Sequence, residues 1–64
     1  MKHYYELEYE TENAVGFSSA PHNREGFNEM IYLAESIKNQ KPNIKITIKS
    51  SRNGIVWSLT QNLG

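Results

Sequence analysis

The spacing of hydrophobic positions along the chain changes period twice. From Lys2 to Glu10 apolar and polar positions alternate, with Tyr5, Leu7 and Tyr9 pointing one way and Tyr4, Glu6, Glu8 and Glu10 the other. That is the period-two signature of a strand with one buried face. Ala14 to Ser19 continues it, with Val15 and Phe17 on the apolar side. Between Asn23 and Asn39 the period becomes helical: Phe27, Met30, Ile31, Ala34 and Ile37 form one stripe that Leu33 widens, opposite Glu25, Asn28, Glu29, Glu35, Ser36 and Lys38. Alternation then returns. Ile44, Ile46 and Ile48 oppose Lys45, Thr47 and Lys49, and Ile55, Trp57 and Leu59 form the inward side of a last strand. The pattern predicts strands over about 2–10, 14–19, 43–50 and 55–61 and a helix over about 24–39.

The residues between these segments are stop and start signals. Pro21 cannot donate to a ladder and ends the second strand. Asn23 is a good N-cap, Glu25 suits the positive end of the helix dipole, and His22 and Phe27 hold the positions of a stacked staple. Gly26 costs ~1 kcal/mol relative to alanine in a helix interior. Lys38 suits the last turn, Asn39 closes the helix, and Pro42 forbids its continuation. A three-residue loop at 11–13, with Asn13 left-handed, pairs Tyr9 with Val15, Leu7 with Phe17 and Tyr5 with Ser19, placing all the large hydrophobes on one face. A two-residue loop at Glu12-Asn13 pairs Tyr9 with Gly16 and turns half of them outward, so the longer loop is expected. Asn53-Gly54 reads as a two-residue hairpin turn that pairs Ile48 with Leu59, Ser50 with Trp57 and Ile46 with Gln61. Asn62-Leu63-Gly64 reads as a short loose tail.

These elements predict an α+β fold, β-β-α-β-β, with a four-stranded antiparallel sheet and one helix on one face. The second and third strands run in the same direction, so an antiparallel sheet has order 2-1-3-4 or 1-2-4-3. Charge favours 2-1-3-4, which sets the glutamates of the first strand beside Lys45 and Lys49 of the third, each cross-strand pair being worth up to ~1 kcal/mol. The 64 residues are one small domain without internal repeats or linkers. Met1 reads as a native start and the chain as complete.

Composition narrows function mainly by exclusion. Seven basic and seven acidic residues give zero net charge, unlike the basic excess of a general polyanion binder. Without cysteine there is neither a disulfide framework nor a cysteine metal site. No apolar run reaches the ~18–20 residues of a membrane span, and a secretory h-region is missing, so the chain is expected to be cytoplasmic. Phosphate-loop glycine patterns are absent. His3 and His22 supply only two of a zinc site's usual four ligands. Ser18, Ser19, His22 and Glu25 lack a nucleophile elbow and an oxyanion hole, so they read as cap and turn residues. One helix on four strands offers no deep cleft, while small-molecule pockets need ~300 Å³ or more. The expectation is a non-enzymatic protein with no cofactor, metal, membrane or small-molecule substrate.

Two surfaces remain. In order 2-1-3-4 the last strand is an edge, and Ile55, Val56, Trp57, Ser58, Leu59 and Thr60 carry no charge, lysine or proline to guard it. An unguarded edge is a place where another chain adds a strand, either a partner protein or a second copy. The open sheet face carries Tyr4, Glu6, Glu8, Glu10, Lys45 and Lys49. Trp57, Tyr5, Tyr9 and Phe17 read as core by parity; Tyr4, Tyr32 and Val56 as partly exposed. The alternative is a small nucleic-acid-binding or nucleic-acid-mimicking regulator, with Lys41, Lys45, Lys49 and Arg52 as phosphate contacts or the glutamate stripe as decoy. It is disfavoured because Tyr4 is the lone stacking aromatic and the glutamates repel phosphate.

Overall fold

The computed structural model describes residues 2–41 and 43–61. The expectations placed on Met1, Pro42 and the tail 62–64 lie outside the described residues. Alternation builds β1 (Tyr4–Glu10) and β2 (Val15–Pro21), the helical stripe builds α1 (Arg24–Gln40), and the remaining alternating segments build β3 (Ile44–Ser50) and β4 (Gly54–Gln61). The sheet is antiparallel in the order β2-β1-β3-β4, with α1 on one face, so the fold is α+β. Glu6 stands opposite Lys49 and Glu10 opposite Lys45, the juxtaposition from which the order was argued.

The core is made where α1 meets β2, β1 and β3. Leu7, Ala20, Met30, Ala34, Ile44, Ile46 and Ile48 are buried, and Tyr5, Tyr9, Ile31, Leu33, Ile37, Trp57 and Leu59 pack around them half-buried. Each fully buried isoleucine or leucine contributes about 1.5–3 kcal/mol from water exclusion. The Asn23 side chain accepts from Gly26 N–H at 2.7 Å and caps the helix. At the other end Lys41, in extended conformation, donates its N–H to Ile37 at 3.0 Å, so the helix closes two residues beyond Asn39. Gly26 is more than a weak helix former. A Cβ there would run into the Pro21 carbonyl, so the glycine is what lets α1 start directly beneath the end of β2.

Both hairpin registers differ from expectation. Thr11 N–H donates to Ala14 carbonyl at 2.8 Å, and the Thr11 hydroxyl accepts from Ala14 N–H at 3.0 Å and Asn13 N–H at 3.3 Å. The turn is therefore the two-residue one at Glu12-Asn13, and it pairs Tyr9 with Gly16, Leu7 with Ser18 and Tyr5 with Ala20. Val15 and Phe17 face away from the helix, 58% and 64% exposed. The reason is space. The Tyr9 ring occupies the volume where a Gly16 side chain would sit, and α1 lies over β2, so this face of β2 takes small residues. β2 ends at Pro21, two residues beyond the expected Ser19, and Pro21 is itself the last residue of this outer strand, where no further ladder bond is required of its nitrogen.

In the second hairpin the turn is Ser51 to Asn53, followed by Gly54 at φ +82°, which pairs with Ser50. The Ser50 hydroxyl accepts from Arg52 N–H at 3.1 Å and Asn53 N–H at 3.0 Å, which stabilises this longer turn. Val56 is then an extra residue between the pairs Lys49–Ile55 and Ile48–Trp57, a β-bulge. Ile46 pairs with Leu59 and Ile44 with Gln61. Trp57 and Leu59 keep the inward face, whereas the bulge turns Ile55 to the open face, 64% exposed.

Candidate functional site

The open face is a grid of three complete rows, because all three strand pairs have a defined register. One row runs Phe17, Glu8, Thr47, Ser58; the next Val15, Glu10, Lys45, Thr60; the third Ser19, Glu6, Lys49, Ile55. Tyr4 lies beyond the third row, paired with Pro21 and hydrogen-bonded through its backbone to Ser51. The expected face residues Tyr4, Glu6, Glu8, Glu10, Lys45 and Lys49 thus share one surface. The face is more apolar at its margins than the sequence suggested, since Val15, Phe17 and Ile55 join it. The signal that points to them is the run of small residues Gly16, Ser18 and Ala20 at alternate positions, which marks the side of β2 closest to a covering element.

Over β1, β3 and β4 this face is concave. A depression of about 330 Å³ is lined by Glu8, Glu10, Lys45, Thr47, Lys49, Ile55, Ser58 and Thr60. In volume it is comparable to the ~300 Å³ of a small-molecule pocket, but it is an open hollow on the sheet face and not a deep cleft. Its lining mixes both signs of charge with three hydroxyls.

β4 is placed differently from the other strands. It pairs only with β3, and α1 packs on β2, β1 and β3 without reaching it. Trp57 and Leu59 consequently stay half-buried at the margin of the helical layer, and Val56 and Ile55 are exposed. Ser58 and Thr60 open onto the concave face. The bulge at Val56 disturbs the start of the edge, leaving Trp57 to Gln61 as its regular part.

The four cations of the nucleic-acid reading are not assembled into one strip. Lys45 and Lys49 stand opposite glutamates, Arg52 lies in the β3–β4 turn, and Lys41 lines a separate depression of about 210 Å³ with Thr11, Glu12, Asn13 and Asn43. Asn43 donates to Glu12 there at 3.4 Å.

The two histidines converge at the opposite end. The His22 ring stacks on Tyr5 with centroids 4.3 Å apart, and Tyr5 is tilted against Phe27 at 5.4 Å, so Tyr5 stands where a direct His22–Phe27 staple was expected. His3 meets His22 edge-on at 5.9 Å. His22 Nε2 lies 2.8 Å from Ser50 Oγ. Both lone pairs of that oxygen are taken by the Arg52 and Asn53 amides. Ser50 is 4% exposed and has no lone pair left for attack, so the pair is turn chemistry that ties the β2–α1 junction to the β3–β4 hairpin. Ser18, by contrast, faces α1 while Ser19 faces the open side, which separates two members of the sequence-adjacent Ser-His-Glu group. Among the described residues no three His, Cys, Asp or Glu side chains come together as a metal site, and no helix is long and apolar enough to cross a membrane.

Comparison with family models, with curated proteins and with solved structures finds no match to this chain.

Proposed function

We propose that the chain is a small non-enzymatic protein-binding module that takes an extended segment of a partner protein as a fifth strand on β4. The observation that carries this reading is the combination at that strand: an uncharged edge, pairing on one side only, and no cover from α1. An added strand gains backbone hydrogen bonds along Trp57 to Gln61 and places alternate side chains beside Trp57 and Leu59, which the helix leaves half-covered. The register of the partner is then set by which of its residues are apolar on that side.

The test is peptide selection from a random display library on the immobilised chain, followed by mapping of the selected peptides by amide chemical shift. Bound peptides are expected to perturb β4 and to lose binding when alternate backbone amides are N-methylated, while tolerating 0.5 M salt. Peptides that map to α1 or the open face, or that bind equally well after N-methylation, would refute the reading.

A further inference from the structure

We propose that β4 selects acidic segments: the strand added to it alternates apolar residues with glutamate or aspartate, the acids lying on the open-face side beside Ser58 and Thr60. This rests on the reading of β4 as the edge that takes a partner's strand, and it names the chemistry of that partner.

Charge changes strand by strand across the open face. β4 has none, β3 presents Lys45 and Lys49, β1 presents Glu6, Glu8 and Glu10, and β2 has none. In the order β2-β1-β3-β4, a segment arriving at the β4 edge meets ammonium groups first and carboxylates only behind them. Both lysines are exposed. What separates them from the edge is mostly short: Thr60 stands beside Lys45, and Ser58 beside Thr47, all within the hollow. Ile55 stands in front of Lys49, so that ammonium is reached diagonally, across Ser58.

A residue beside Thr60 on the added strand is two strand spacings, about 9.6 Å, from Lys45. The flexible four-carbon stem of lysine and the shorter stem of glutamate together span that distance. The concave curvature of the face tips the two side chains toward each other. A residue beside Ser58 lies level with Thr47, between the two lysines on β3.

Repulsion from β1 does not cancel this attraction. Its carboxylates belong to a strand three spacings away, about 14 Å, beyond the Debye length of about 8 Å at physiological ionic strength. Lys45 and Lys49 each stand opposite a glutamate of β1, and an ammonium with three donors has room for a second carboxylate. The gain is that of an exposed ion pair, up to about fivefold in affinity per carboxylate.

The sheet already uses a strand of this kind. On the other side of β3, β1 runs Tyr5-Glu6-Leu7-Glu8-Tyr9-Glu10, apolar toward α1 and acidic toward the open face. A similar segment on β4 sets carboxylates on both flanks of the lysines while its apolar side meets Trp57 and Leu59. A slip by one residue turns the acids against Trp57 and Leu59, so charge and hydrophobicity fix the same register. The β4 strand of a second copy brings no carboxylate, and a basic segment sets like charge toward Lys45 and Lys49.

Three blocked peptides test this, with valine alternating with glutamate, with glutamine or with lysine, each titrated at low salt into ¹⁵N-labelled chain. Amide shifts locate the peptide and their concentration dependence gives its affinity. The glutamate peptide is expected to shift β4 and to bind at least about threefold more tightly than the glutamine peptide and about tenfold more tightly than the lysine peptide. At about 0.5 M salt the β4 shifts are expected to remain while the ratios fall toward one. Lys45→Gln with Lys49→Gln, at two exposed positions, is expected to abolish the preference and keep the β4 shifts. Equal affinities in the parent chain, or a glutamate preference that survives the double substitution, would overturn the acidic specificity and leave the edge reading standing. Shifts centred outside β4 for all three peptides, or no binding by any, would overturn the edge reading and the specificity with it. The parent's ratios and their salt dependence decide the matter even where the double variant does not fold.

Discussion

Tyr9 lies with its ring across Gly16, and any side chain at Gly16 would have to displace it. That contact decides the fate of the next residue, because successive residues of a strand point to opposite faces. Phe17 is thereby an exposed residue with the look of a core one. Phe17→Ala is expected to change the unfolding free energy by no more than about 0.5 kcal/mol at micromolar protein. Leu7→Ala, from a fully buried site, is expected to lose about 2–5 kcal/mol. Urea denaturation of the two variants reads both, and a loss of several kcal/mol at Phe17 would put its ring back beneath the helix. The residue scale is also where sequence was least legible. Counting hydrophobes favours Val15 and Phe17 inward, and nothing in the pattern weighs that gain against the room a tyrosine and a helix need above β2. The stripe of α1 had no such competitor, and Met30 and Ala34 are buried as its period implies.

At the scale of elements, side chains that bond to backbone amides set both hairpins. Thr11 closes the first turn and Ser50 the second, and each turn has a length other than the expected one, shorter in the first hairpin and longer in the second. Asn53-Gly54 did mark the right hairpin, with Gly54 in the left-handed conformation that glycine adopts freely. What the dipeptide does not encode is that a buried hydroxyl three residues earlier draws the turn back toward it and that the bulge at Val56 then restores parity for Trp57. Ser50→Ala removes the acceptor for two amides and the hydrogen-bond partner of His22, and is expected to cost about 1–3 kcal/mol. Equilibrium denaturation measures it, and a change below about 0.3 kcal/mol would show that water replaces the hydroxyl without loss.

Taken as a whole, the molecule is lopsided. α1 sits over β2, β1 and β3, and β4 hangs beyond it. The strand order was legible because chain direction left two choices and the opposed glutamate and lysine stripes selected one. The lopsidedness was not legible, since it follows from how far small residues on β2 draw the helix to that side. In dilute solution β4 amides are expected to exchange with solvent fastest among the strands, and those of β1 and β3, which are paired on both sides, slowest. Hydrogen exchange followed residue by residue checks this. Protection of β4 equal to that of β3 at micromolar concentration would indicate a cover that the monomer does not possess.

The two-residue turn at Glu12-Asn13 has a consequence for how this chain tolerates insertions. β2 carries a small-residue side and a bulky side, and the turn is the point at which one is assigned to the helix and the other to solvent. A single residue inserted between Thr11 and Ala14 confronts the strand with two alternatives. It keeps its faces by loosening the turn, or it rolls over and drives Val15 and Phe17 into a space already occupied by Tyr9 and α1. Only the first preserves the packing, so the surviving insertion is the one absorbed by the loop. Lengths of this turn are thus filtered by what lies beneath a strand several residues away, and the hairpin behaves as a ratchet that permits slack but not rotation.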